Sequence, residues 1–137
     1  MTVESGIPLA LTQTTNFNAF AGFGTQRPNC VGDPVPSERT TSAYFDPAAF
    51  AIAPQFTLGS CSRNPVRGPA YQDADLAFIK RTMITERFSL DFRTEIFNLT
   101  NTPPLNAPNV VFGSAAFGTI TSAGDPRVIQ LALKLNF

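Results

Sequence analysis

The last eleven residues, RVIQLALKLNF, limit what this chain can fold into more tightly than any other stretch. Ile129, Leu131, Leu133, Leu135 and Phe137 place an apolar side chain at every second position up to the final residue. Gln130, Ala132, Lys134 and Asn136 occupy the positions between them. Such alternation is the mark of a β-strand, whose successive side chains point to opposite faces. The apolar face must then be covered. A soluble β-domain covers it with a core, a membrane barrel with lipid.

A second stretch repeats the pattern. In RFSLDFRTEIF (87–97), Phe88, Leu90, Phe92, Thr94 and Ile96 share one face, and Ser89, Asp91, Arg93 and Glu95 share the other. Upstream, DADLAFIKRT (73–82) puts Leu76 and Phe78 on one side and Asp75, Ala77 and Ile79 on the other. A short connection at Met83–Arg87 makes these two an antiparallel hairpin. Each stretch runs to about ten residues, against about 5–6 for an ordinary strand and about 9–11 for one that spans a membrane. Charges at mid-strand beside Phe and Leu suit a wet interior backed by a lipid-facing exterior. On this reading Phe88, Leu90, Phe92, Ile96, Ile129, Leu131, Leu133 and Leu135 face lipid or pair with further strands, and Asp91, Arg93 and Glu95 are lumen charges forming an ion-pair row.

The predicted fold class is all-β, with antiparallel strands and long loops forming part of a transmembrane β-barrel. Residues 1–12 are expected as a strand weakened by Pro8, which cannot donate to a ladder. Residues 13–72 form a long loop with a helical turn at Asp46–Phe50, started by Asp46 as cap and Pro47. The hairpin occupies 73–97, a second loop 98–126, and the terminal strand 127–137. Three or four strands cannot close, since the smallest barrels need about eight.

Composition removes whole classes of function. Of 137 residues only 15% are charged, with 10 Lys and Arg against 10 Asp and Glu, so no basic surface for nucleic acid is expected. With no His and 2 Cys, a zinc site would have only two thiolates and carboxylates to use, a poor set, and a His-activated nucleophile has no base. No catalytic residue, metal or cofactor is expected, and the chain is read as no enzyme. No apolar run reaches the roughly 18 residues of a membrane-spanning helix. MTVESGIPLALTQ also lacks the basic start and apolar run of a signal peptide.

Several strings go further: GTQRPNCVGDP (24–34), YFDPAAFA (44–51), SRNPVRGPAYQDADLAFIKR (62–81), FRTEIFNLTNTPPLNAPN (92–109) and FGTITSAGDPRVIQLALKLNF (117–137). Together they resemble, in order, the last part of a TonB-dependent outer-membrane receptor. The resemblance is to the large acidobacterial subfamily that carries a carboxypeptidase-regulatory-like domain at its N-terminus. It implies a barrel of about 22 strands with a plug, importing nutrients across the bacterial outer membrane. This chain would supply the final strands, and Phe137 would end the signal read by the barrel assembly machinery. It also implies an inward-running last strand, which places 13–70 and 98–126 outside and the turn at 84–86 in the periplasm. The partners would be the remainder of a larger barrel or copies of the chain itself, together with outer-membrane lipid.

The implied topology puts both cysteines outside, where a Cys30–Cys61 disulfide stapling the first loop is expected in preference to two unpaired thiols. Phe17, Phe20, Phe23, Phe45, Phe50 and Phe56 either line a ligand mouth or self-association surface, or form a small core that orders the loop. Asp73, Asp75 and Glu86 are read as mouth or lumen charges, not a calcium or acid–base cluster. Arg63 and Arg67 are read as anchors of the loop to carbonyls or carboxylates in preference to an anion-binding role. Two other classes stay open: an extracellular subunit that polymerises by strand pairing into a fibre or sheet, and a small soluble β-sandwich that binds a partner.

Overall fold

A computed structural model describes every residue from Met1 to Phe137. In chain order the strands are β1 (Thr2–Glu4), β2 (Pro8–Leu9), β3 (Thr12–Gln13), β4 (Asn29–Cys30), β5 (Phe50–Ala51), β6 (Val66–Arg67), β7 (Tyr71–Asp73), β8 (Leu76–Met83), β9 (Ser89–Phe97), β10 (Val111–Phe112) and β11 (Val128–Asn136). The only helical pieces are 3-10 turns at Ala19–Ala21 and Pro47–Ala49. The chain is all-β, as the alternation requires. It divides into two compact units, one of Met1–Glu4, Tyr71–Pro104 and Gly124–Phe137, the other of Ser5–Ala70 and Leu105–Ala123.

The first unit is a three-stranded antiparallel sheet in the order β11-β9-β8. Its register runs from Leu76↔Ile96 to Met83↔Ser89 on one side of β9, and from Val128↔Phe97 to Asn136↔Ser89 on the other. Phe88, which the alternation places within the strand, lies just before β9, which begins at Ser89. The Ile84 and Thr85 amides both donate to its carbonyl, at 2.9 and 3.1 Å, so the ladder carries on to Ile84 and Phe88 before Thr85–Arg87 turn the chain. At the opposite end Asn98 stops β9 by taking a left-handed φ of 52°, which Asn tolerates better than most residues. It is buried, and it binds four ways: its amide to Asp75 Oδ1, its Nδ2 to the Asp125 carbonyl, and its Oδ1 from Thr102 N and Thr100 Oγ1. β1 pairs antiparallel with β7 just beyond this end.

The second unit holds the core. Leu11, Tyr44, Phe45, Ala49, Phe50, Cys61, Val66 and Ile120 are buried together, and Phe112 and Phe117 pack against them. The rings meet edge-on or tilted, with Phe50–Phe117 centroids at 5.4 Å and Phe112–Phe117 at 5.3 Å. Two segments far apart in sequence are clasped here: the Ile120 amide donates to the Thr41 carbonyl at 2.7 Å and the Tyr44 amide to Gly118 at 2.9 Å. β10 pairs with β3 in parallel, an exception to the antiparallel rule that the sequence reading did not foresee.

Two expectations change. Residues 1–12 are not one strand but parts of three. At Gly6 the backbone passes so close to Gly68 that a Cβ would fall 1.8 Å from its carbonyl oxygen, and a new pairing, β2 with β6, begins beyond it. Residues 13–72 and 98–126 are also not independent loops, because 105–123 completes the core that 5–70 begins. The turn at Pro47–Ala49 lies where expected, with Asp46 Oδ1 accepting from the Ala48 amide at 2.9 Å. Cys30 and Cys61 are joined as a disulfide closing 31 residues.

Opening that disulfide by a Cys30→Ser/Cys61→Ser double substitution should cost the second unit about 3–4 kcal/mol. Phe45→Ala, removing a ring that is 1% exposed, should cost about 3–5 kcal/mol. Both should appear as faster hydrogen exchange of the Tyr44 and Ile120 amides, and unchanged exchange would refute the role given to this core.

Candidate functional site

The register assigns every long-strand side chain to a face. On one, Ile96 stands between Leu76 and Ile129, Thr94 between Phe78 and Leu131, Phe92 between Lys80 and Leu133, and Leu90 between Thr82 and Leu135. This face is uncovered: Phe78 is 58% exposed, Leu131 66% and Leu133 67%. The predicted residues Leu90, Phe92, Ile96, Ile129, Leu131, Leu133 and Leu135 all belong to it. Lys80 interrupts it, with a stem long enough to lie along apolar neighbours while its ammonium reaches a polar layer.

The other face carries the charges. Arg81 grips Asp91 through two parallel bonds, Nε to Oδ1 at 2.6 Å and Nη2 to Oδ2 at 2.8 Å, and Asn136 Nδ2 adds a third at 3.1 Å. Lys134 stands opposite Asp91 on β11. Arg93 pairs with Glu95 along the strand. The expected row Asp91, Arg93, Glu95 is thus broken, because Asp91 bonds across the sheet instead of along it. A directly opposite residue lies about 4.5–5.5 Å away between Cβ atoms, nearer than the next residue on the same face. Arg81 is the partner that sequence reasoning missed. Counting back through the turn to the position opposite Asp91 would have found it. Ile79 and Met83, exposed near the edge on β8, sit on this charged face too.

At the loop end of the first unit Tyr71, Asp73, Asp75 and Asp125 border a cavity of about 390 Å3. Tyr71 donates its hydroxyl to Asp73 at 3.3 Å. Loss of hydration, and after it the neighbouring Asp73 charge, raises the phenol pKa above its ordinary value. Glu86 lies in the turn at the opposite end of β8 from Asp73 and Asp75, and no trio of carboxylates is placed to hold a metal ion. Asp75 is engaged in fixing the Asn98 amide.

The phenylalanines of the first loop separate into two groups. Phe45 and Phe50 build the core, whereas Phe17, Phe20, Phe23 and Phe56 are exposed. Phe20 and Phe56 meet edge-to-face at 5.4 Å beside a cavity of about 320 Å3. A neighbouring cavity of about 460 Å3 is bordered by Arg27 and Arg63. Arg67 is the loop anchor, donating to the Gly6 carbonyl at 3.1 Å. Asn98, buried, is spent on ending β9.

A protein-family model described as an outer membrane beta barrel domain matches residues 1–130. No curated protein matches the chain. No solved structure matches it either.

The two faces make opposite demands on neighbouring positions of β11. Leu133→Arg should cost about 2–4 kcal/mol if it lies near the middle of a bilayer, whereas Ala132→Arg should be nearly neutral. Refolding into lipid vesicles against urea reads the difference, and equal effects would show that the faces are not divided between lipid and water.

Proposed function

The chain belongs to the outer membrane β-barrel domain family, whose place is the bacterial outer membrane, and on that premise we propose that it forms the C-terminal part of a TonB-dependent transporter for nutrient uptake. The observation that carries the reading is the two-faced sheet, apolar on one side, charged on the other and uncovered on both. A strand of 9 residues such as β11 extends about 30 Å, and tilted by about 40° it crosses about 23 Å, close to the apolar band of an outer-membrane barrel. The terminal Phe137, following four apolar residues at alternate positions, fits a signal for barrel assembly.

The sheet has two free edges, on β8 and on β11. Unpaired backbone groups cannot remain in hydrocarbon, so other strands must cover both. The remainder of a larger barrel supplies these strands in this reading, with the turn at 84–86 in the periplasm and the segments 13–70 and 98–126 outside. Barrels of this kind have short periplasmic turns and longer outer loops. The segment acts in transport without catalysis, cofactor or nucleic acid. The same free edges favour one rival, an extracellular subunit that polymerises by strand pairing.

The test is made on intact cells. We expect the chain in a barrel-sized outer-membrane species that shifts mobility on heating and cross-links to the periplasmic domain of TonB while the proton gradient is maintained. Regular polymers of the 137-residue product in the culture fluid, with none in the membrane, would overturn the reading in favour of the structural subunit.

A further inference from the structure

We propose that the second unit carries a binding site for a small organic anion with an apolar body. Two cavities share a wall there: one of about 460 Å3 bordered by Arg27 and Arg63, one of about 320 Å3 bordered by Phe20 and Phe56, with Phe23 and Leu58 lining both. These are the dimensions of small-molecule sites, which combine apolar walls with a few placed polar groups. No carboxylate lines either cavity. Neither arginine belongs to either of the molecule's two ion pairs, Arg81–Asp91 and Arg93–Glu95. Two arginines thus line this cavity with no carboxylate beside them, and a planar carboxylate is the group that matches a guanidinium's paired donors.

The walls are fixed in place before any ligand arrives. Arg27 donates through Nη1 to the Cys61 carbonyl at 3.2 Å, and Cys61 is tied to Cys30. Gly59 lies against Arg27 so closely that a Cβ would fall 2.0 Å from the Arg27 carbonyl oxygen. At the apolar end Phe56 has a φ of 65°, a left-handed conformation that a bulky side chain seldom adopts. Asn18 holds it there, accepting from the Phe56 amide at 2.9 Å. The ring gains no burial in exchange, for Phe56 is 78% exposed. Strained conformations of this kind cluster at active sites and ligand clamps. An aromatic body would lie between Phe20, Phe23 and Phe56 with its anionic end towards Arg63 and Arg27.

The assignment rests on the second unit alone and reads binding, not uptake, so it fails or stands apart from the transporter reading. The probes are 2-naphthoate and its neutral counterpart 2-naphthylmethanol. Binding is measured by equilibrium dialysis against the intact protein in nanodiscs, with empty nanodiscs subtracted. The acid should bind saturably, and Arg63→Gln should weaken it about tenfold while leaving the alcohol unchanged. Phe20→Ala should weaken both. Raising the salt concentration on the unaltered protein should weaken the acid alone, which keeps the test valid even if a variant misfolds. No saturable binding of the acid, equal binding of acid and alcohol at low salt, or an Arg63→Gln protein with undiminished affinity for the acid would overturn the assignment.

Discussion

Everything in the long-stranded unit depends on its register. Side chains alternate with a period of two, so sliding β11 by one residue along β9 would turn Lys134 onto the apolar face and Leu133 onto the charged one. Two features fix the same kind of register between β8 and β9, and a third also reaches the segment that leads into β11. The turn closes tightly, with the Ile84 and Thr85 amides on one carbonyl. Arg81 and Asp91 bond through two parallel contacts available only when they stand opposite each other. Asn98 and Asn101 fix the other end, reaching Asp75, Asp125 and Arg127 on the segments that lead into β8 and β11. Polar contacts thus define the pairing, while apolar side chains define what the finished sheet can border.

The second unit solves a different problem. It buries a core with few ladders, since its strands are only two residues long, and buried backbone groups still need partners. Side-chain amides provide them. Gln13 accepts from the Ala53 amide at 2.8 Å and donates to the Thr15 and Ala53 carbonyls. Gln26 accepts from Phe17 and donates toward Ala53, Pro54 and Thr57, and Asn18 spans Phe56 and Thr57. No buried side-chain nitrogen or oxygen is left without a partner. Removing one such amide would orphan several backbone groups together, which makes these residues matter beyond their own burial.

What could be read from the sequence follows from where a repeating rule operates. β9 and β11 were legible because a period of two imposes itself on nine residues in a row, and the faces of Leu90, Phe92, Ile96 and Ile129–Leu135 followed from it. The Arg81–Asp91 pair was implicit in the same rule but needed the turn length as well. The second unit had no period to reveal it. Its organisation comes from contacts such as Ile120 with Thr41 and Gly6 with Gly68, which join residues dozens of positions apart without any local signature. The division of the phenylalanines was hidden for the same reason: Phe50 and Phe56 look alike in sequence, and only the return of Phe112 and Phe117 distinguishes them.

That return also sets an order of events. Phe112, Phe117 and Ile120 follow β8 and β9 in the chain, so the core begun at Ser5 stays incomplete until 105–123 returns to it. Contacts across such separations form slowly. The Cys30–Cys61 link needs no such delay, since both halves lie in the earlier segment. An oxidising compartment would therefore tie the first segment while its core is still missing a side, shortening the search that remains.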